Sequence, residues 1–182
     1  DNMSMIGLLP FDECANSQAV IARVENAGLN SVGKYMIGYS IDGVLQTPIT
    51  VSNGLNSDAI DNITLVSSFS FVSNTTYTFQ VWTYNPNNTS DSYTGNDTIK
   101  LVYQHVGVPA IPSAGRVSSC GYGKVDISAA SGDSIAWFDE DIYGNLLGFG
   151  AKYTTPYLTQ TDTFYAEAIK CKHQYTEFGT GF

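Results

Sequence analysis

The chain has 182 residues and a formal net charge of −9, enough for one large domain or two small ones. Aromatic residues make up 13% and charged residues 14%, which is too aromatic for a disordered tail and too poor in charge for a coiled coil. Excess acid repels phosphate backbones and anionic headgroups, so no nucleic acid partner is expected. No apolar run reaches the length of a spanning helix, and no membrane insertion is expected either.

Ser, Thr and Asn fill about a quarter of the positions, while Val, Ile, Thr, Tyr and Phe are plentiful. These last suit a pleated, half-buried surface, and the chain is expected to be all-β. The start, Asp1-Asn2-Met3-Ser4, has neither the basic nor the apolar region of a signal peptide. Residues 1–9 are therefore read as the end of a preceding segment.

Alternation then marks strands at Val20 to Glu25 and Lys34 to Ile41, the latter placing Tyr35, Ile37, Tyr39 and Ile41 on one face. Asp42-Gly43 follows at once, the dipeptide of a two-residue hairpin whose central residues both need positive φ. Val44 to Val51 is the return strand, and its Pro48 assigns it to a sheet edge. Further strands are expected at Ile63 to Val72, Thr76 to Thr83 and Ile99 to His105, with turn chemistry from Asn85 to Asp91 between the last two.

Pro109 and Pro112, with Gly107 and Gly115, mark residues 106–112 as an extended linker. A second strand set follows at Lys124 to Ala129, Ser134 to Asp139, Leu146 to Phe149, Lys152 to Thr155 and Thr163 to Lys170. Short strands at such spacing indicate sandwiches. The chain divides into two β-sandwich modules in tandem, 10–105 and a smaller 113–172, with residues 173–182 as a tail or the start of another module. Trp137, inside an alternating run, is expected to anchor the second core.

Three cysteines, Cys14, Cys120 and Cys171, form no CxxC pair, and His105 and His173 stand alone. Two readings of the thiols stay open: three buried thiols, or a Cys120–Cys171 bridge. Catalytic signatures are missing from the sequence: it has no GxSxG, no HExxH and no glycine-rich phosphate loop ahead of a helix. The chain is not expected to be an enzyme.

Asp139-Glu140-Asp141-Ile142-Tyr143-Gly144 mimics the start of a calcium loop, with acids at positions 1 and 3 and Gly at 6. It departs from that pattern at position 5 and at position 12, where Gly150 replaces the bidentate Glu. It reads as an acidic hairpin tip or as a calcium site of Asp139, Asp141 and Asn145, the one cofactor the sequence suggests. Asp91, Asn96 and Asp97 form a second candidate group. The many tyrosines offer sugar-stacking faces, although the alternation spends most of them on sheet surfaces.

The second module carries a longer signature. It runs Ser119-Cys120-Gly121-Tyr122-Gly123-Lys124-Val125, Ile135-Ala136-Trp137-Phe138-Asp139, then Gly144-Asn145-Leu146-Leu147-Gly148-Phe149-Gly150 and Asp162-Thr163-Phe164-Tyr165-Ala166. This resembles the tandem Ig-like modules of large Bacteroidota secreted cell-surface proteins, including gliding-motility adhesins exported by the type IX system. The first module is similar to a companion domain, with Asn26-Ala27-Gly28, Tyr39-Ser40-Ile41-Asp42-Gly43 and Gly95-Asn96-Asp97-Thr98. Its long Asn85 to Asp91 loop departs from the pattern.

The resemblance implies an extracellular, cell-surface location and a non-enzymatic stalk or spacer segment of an adhesin or filament that presents adhesive loops. Its implied partners are neighbouring modules, surface polysaccharide or other cell-surface proteins. It implies that Cys120 pairs with Cys171. It also implies O-glycosylation at Thr98 and Ser134, where Asp97-Thr98-Ile99 and Asp133-Ser134-Ile135 fit an Asp-Ser/Thr-apolar context. The alternative is a carbohydrate-binding accessory region of a secreted polysaccharide-degrading enzyme.

Overall fold

A computed structural model describes residues 1–170, and Cys171 and the expected tail at 173–182 lie outside the described residues. The chain divides into two compact units, residues 1–107 and 108–182. Both are all-β.

The first unit contains β1 (Met3–Leu8), β2 (Ser17–Asn26), β3 (Tyr35–Ile41), β4 (Val44–Leu45), β5 (Ile49–Val51), β6 (Ile60–Ser70), β7 (Thr75–Tyr84) and β8 (Thr98–His105). One sheet has the order β1-β2-β6, the other β4-β3-β7-β8 with β5 also paired to β3. Strand alternation turns Met3, Val20, Ala22 and Val24 from the first sheet onto Tyr35, Ile37, Phe79 and Val81 from the second, and all of these are buried. Their common core makes the unit a β-sandwich.

Asp42 and Gly43 take φ of 51° and 80°, as the expected hairpin requires. Asp42 also accepts the Thr78 amide at 2.7 Å, tying the hairpin to β7. Around Pro48 the expected single return strand splits into β4 and β5, because Gln46 to Pro48 leave the ladder. Trp82 sits on the face opposite the core, directly over Gly38, where any β-carbon would strike the indole ring. Glycine is needed there so that the ring can lie on the sheet.

Two boundaries read from the sequence need correction. Residues 1–9 belong to this unit: β1 pairs antiparallel with β2, and Met3 and Met5 lie in the core at 0% and 6% exposure. Two methionines alternating with Ser4 and Ile6 are a faint strand signal, since Met is not a characteristic strand former. The linker also starts later than residue 106. Gly107 is buried, has φ of 85°, and donates its amide to the Glu13 carbonyl at 2.8 Å.

The second unit contains β9 (Ser113–Ala114), β10 (Asp126–Ala130), β11 (Ser134–Phe138), β12 (Leu146–Phe149), β13 (Lys152–Thr154) and β14 (Tyr165–Ile169). Its sheets run β13-β10-β9 and β12-β11-β14. Ala129, Ile135 and Trp137 form the buried cluster between them, with Ile127, Leu147, Tyr153, Phe164 and Ala166 packed around it. Trp137 is 1% exposed, stacks on Tyr153 at 6.0 Å and donates its indole N–H to the Gly150 carbonyl at 2.8 Å. The expected anchor is in place, with its polar atom satisfied.

Candidate functional site

Two loop clusters gather the chemistry, one in each unit. In the second unit Asp139, Glu140 and Asp141 line an open cleft of about 460 Å³ together with Ile142, Asp162, Thr163 and Tyr165. The loop shape comes from its backbone: Tyr143 has φ of 60°, and a β-carbon at Gly144 would meet the Glu140 carbonyl.

The sequence groups Asp139, Asp141 and Asn145 as a calcium set. The structure joins Asp139 directly to Asn145, whose main-chain and side-chain N–H groups donate to the two carboxylate oxygens at 2.6 and 2.9 Å. Those bonds, the side-chain one foremost, hold the Asp139 carboxyl below the ordinary carboxylate range. Asp141 lies on the wall of the same cleft. The loop is thus a self-bonded acidic turn. Among the described residues no three His, Cys, Asp or Glu side chains converge as a metal centre.

The first unit's cluster is the long loop between β7 and β8, which the sequence marks only as turn chemistry. Here Asn85, Asn87 and Asn88 all take left-handed backbone, which Asn tolerates better than most residues. Asn87 works as a hub. Its Oδ1 accepts the Gly33 amide at 2.8 Å, and its Nδ2 donates to Asp1 Oδ2 at 2.9 Å and to the Ser31 carbonyl at 3.2 Å. Ser92 donates twice to the Asp1 carbonyl. Asp91 accepts the Met3 amide at 2.7 Å and the Tyr93 amide at 2.9 Å. Asn96 donates to Asn2 Oδ1 at 3.2 Å. The loop therefore clasps residues 1–3 where they lead into β1, a role that only long-range contacts reveal.

Asp97 closes this loop and is 8% exposed. Its carbonyl accepts the Thr83 amide at 3.0 Å, yet its Oδ1 has no hydrogen-bond partner. Burial first, and Asp91 second, push its carboxyl up to about 6.

The remaining sequence candidates are dispersed. Thr98 and Ser134 are exposed first residues of β8 and β11. Asp97, the acid of the first tripeptide, is buried, whereas Asp133 makes an ion pair with Lys170 at 3.9 Å. Cys120 is a free, exposed cysteine in the bend ahead of Gly121, and the pairing with Cys171 that the resemblance implies falls outside the described residues. Among the tyrosines, Tyr35, Tyr39 and Tyr77 are buried in the first core, while Tyr122 and Tyr157 are 73% and 65% exposed in the second unit. Sequence reasoning missed Asn26 as a structural hub. Fully buried, it donates to the Asn30 and Leu55 carbonyls at 2.8 and 2.9 Å and accepts the Gly28 amide at 3.1 Å.

Residues 109–178 match the protein-family model described as "Ig-like domain CHU_C associated". The second unit is Ig-like. That match lies wholly within residues 108–182, and the first unit is a β-sandwich on its own geometry. No curated protein sequence matches the chain. Solved structures with some likeness include a domain named for a cell surface protein of Methanosarcina acetivorans, with TM-score 0.48 and 19% identity over 58% of this chain and 91% of that one. The CARDB domain of a Pyrococcus furiosus protein, solved with di-metal ions, has TM-score 0.44 and 14% identity over 59% and 86%. The calcium binding domain CBD12 of CALX1.1 has TM-score 0.40 and 10% identity over 93% and 75%. No helix among the described residues is long and apolar enough to cross a membrane.

Proposed function

We propose that the chain is a non-catalytic segment of an extracellular, cell-surface adhesin or filament, of the type IX-exported kind. In this reading it acts as a spacer that presents loops, with neighbouring modules of the same protein, surface polysaccharide or other surface proteins as partners. The observation that carries the reading is the succession of two β-sandwich units, each with its own closed core. The Ig-like family match of the second adds to it. A spacer needs separately folded units that bear load in series, and antiparallel ladders with buried cores supply them. Sugars on Thr98 and Ser134 would sit on exposed strand starts and shield them from protease. Mass analysis of native protein would find them as added mass on those two peptides.

A second reading, a carbohydrate-binding region of a secreted polysaccharide-degrading enzyme, is favoured by the exposed rings of Tyr122 and Tyr157 in the second unit. Pulling the chain between handles separates the two. A spacer gives two unfolding events, of roughly 35 nm and roughly 20 nm of released chain at ~3.5 Å per residue, and no signal on a glycan array. A single cooperative event together with saturable binding to one glycan class would favour the second reading.

A further inference from the structure

The two tryptophans of the chain are used differently. Trp137 is buried, stacks on Tyr153 and donates its indole N–H to the Gly150 carbonyl. Trp82 is half-buried on the outer face of the β4-β3-β7-β8 sheet. There it stands between Gly38 of β3 and Thr98 of β8. A β-carbon at Gly38 would strike Cε2, Nε1 and Cζ2 of the indole, so one face of the ring lies flat on the strand and the other is turned away from the sheet.

Strand register sets what surrounds the ring. Tyr84, two residues along β7 and on the same face, lies roughly 7 Å away at ~3.4 Å per residue and pairs with Met36. Gln80, two residues the other way, stands between Ser40 and Lys100. Gln80, Thr98 and Lys100 are exposed. Lys100 is the one charged residue that the register of β3, β7 and β8 places on this face, in a chain with 17 Asp and Glu.

The face thus offers a flat indole, a second ring beside it, and a fringe of amide, hydroxyl and ammonium groups free of carboxylates. An indole face is apolar and electron-rich, and it attracts the C–H bonds that line one side of a pyranose ring. The sugar's hydroxyls project from the ring edge, toward donors and acceptors such as those of Gln80 and Thr98. An added peptide strand would need unpaired backbone groups, and those of β7 are spent on β3 and β8. A phosphate backbone would need several cations, where Lys100 is the only one.

We propose that this outer sheet face binds a neutral polysaccharide, with one pyranose ring stacked on Trp82, the chain running toward Tyr84, and Gln80, Thr98 and Lys100 bonded to hydroxyls. The inference rests on the polysaccharide partner proposed above and gives that partner a place on the first unit, apart from Tyr122 and Tyr157. Gly38 is the positioning residue that keeps the indole flat. One stacked ring gives weak binding, ~1 mM for a sugar of this size, which is read in solution and is lost when an array is washed. Repeated along a polymer, such contacts gain by avidity.

The test titrates the full chain with β-linked hexasaccharides of glucose, mannose and xylose while NMR follows the backbone amides and the two indole N–H signals. At least one sugar should shift the Trp82 indole and the amides of residues 80–84 and 98–100 saturably, and leave the Trp137 indole in place. Trp82→Ala should weaken that binding about tenfold, and added salt should not change it, because the sugar is neutral. The wild-type shift map locates the site even if Trp82→Ala fails to fold. No saturable shift with any of the three sugars up to about 20 mM, shifts centred on Tyr122 and Tyr157, or unchanged affinity in a folded Trp82→Ala chain would each overturn the proposal. So would a Trp82 signal that moves with protein concentration alone, which would make the face a contact between copies of the chain. The spacer reading fails separately, on the number of unfolding events.

Discussion

The two sandwiches reach stability by different means. In the first unit, buried side chains from both sheets form one continuous core. At one end of it Phe11, Phe69, Tyr77, Tyr103 and His105 surround Phe71 at ring separations of 4.8 to 5.6 Å. In the second unit the buried cluster is Ala129, Ile135 and Trp137, and the indole carries most of its volume. Small domains bury a smaller share of their surface and sit near the limit of independent folding. A spreading core tolerates the loss of one ring, whereas a core built around one indole does not.

The largest expected effect is therefore at Trp137. Trp137→Ala removes about 4 kcal/mol of packing and strands the Gly150 carbonyl, which should abolish the second unit's cooperative unfolding while the first keeps its transition. Each unit holds one of the two tryptophans, so in Trp137→Ala the fluorescence of Trp82 follows the first unit alone, while calorimetry reads the loss of the second unit's transition. Phe71→Ala should cost a similar amount, about 4 kcal/mol, yet leave the first unit folded with a lower denaturant midpoint. If both variants unfold the whole chain together, the contrast between the cores is wrong.

Asn26→Ala comes next. It would leave the Leu55 carbonyl and Gly28 amide without their buried partner, a loss of about 3 kcal/mol confined to the first unit. Calorimetry that shows an unchanged first transition would contradict the hub role.

A smaller effect is expected at Asp97. Its carboxyl, raised to about 6 in the folded chain, favours folding when protonated. That contribution is complete below the unfolded value near 4 and is lost as pH rises through 6. Asp97→Asn should remove this pH dependence and stabilise the first unit at pH 7.5, by no more than about 3 kcal/mol. The second unit should show no change.

The smallest effect is chemical. Cys120, free and exposed, should react rapidly with a maleimide in the native chain and leave both transitions in place. Protection from the reagent would instead reveal the bridged cysteine that the resemblance implies.

Alternation was legible wherever strands carry Val, Ile, Tyr or Phe on one face, as in β3 and β7, and the Asp42-Gly43 turn followed from its dihedral demand. Trp137 was legible as an anchor for the same reason. β1 was not, because Met3 and Met5 declare no strand preference and its partner β2 begins nine residues after it ends. β9, two residues long, is too short for any period to register. The calcium grouping at Asp139 matched a spacing, but spacing does not show that Asn145 spends its donors on Asp139. The clasp at Asn87, Asp91 and Asn96 depends on contacts about ninety residues apart in sequence, and no local pattern encodes those.

Hydrogen exchange on the full chain tests the central claim, two separately stabilised sandwiches, most directly. Amides of β2, β3 and β7 should exchange far more slowly than those of β10 and β11, and Trp137→Ala should erase protection in the second unit alone. Equal protection across both units in the wild-type chain, lost everywhere at once in Trp137→Ala, would contradict it.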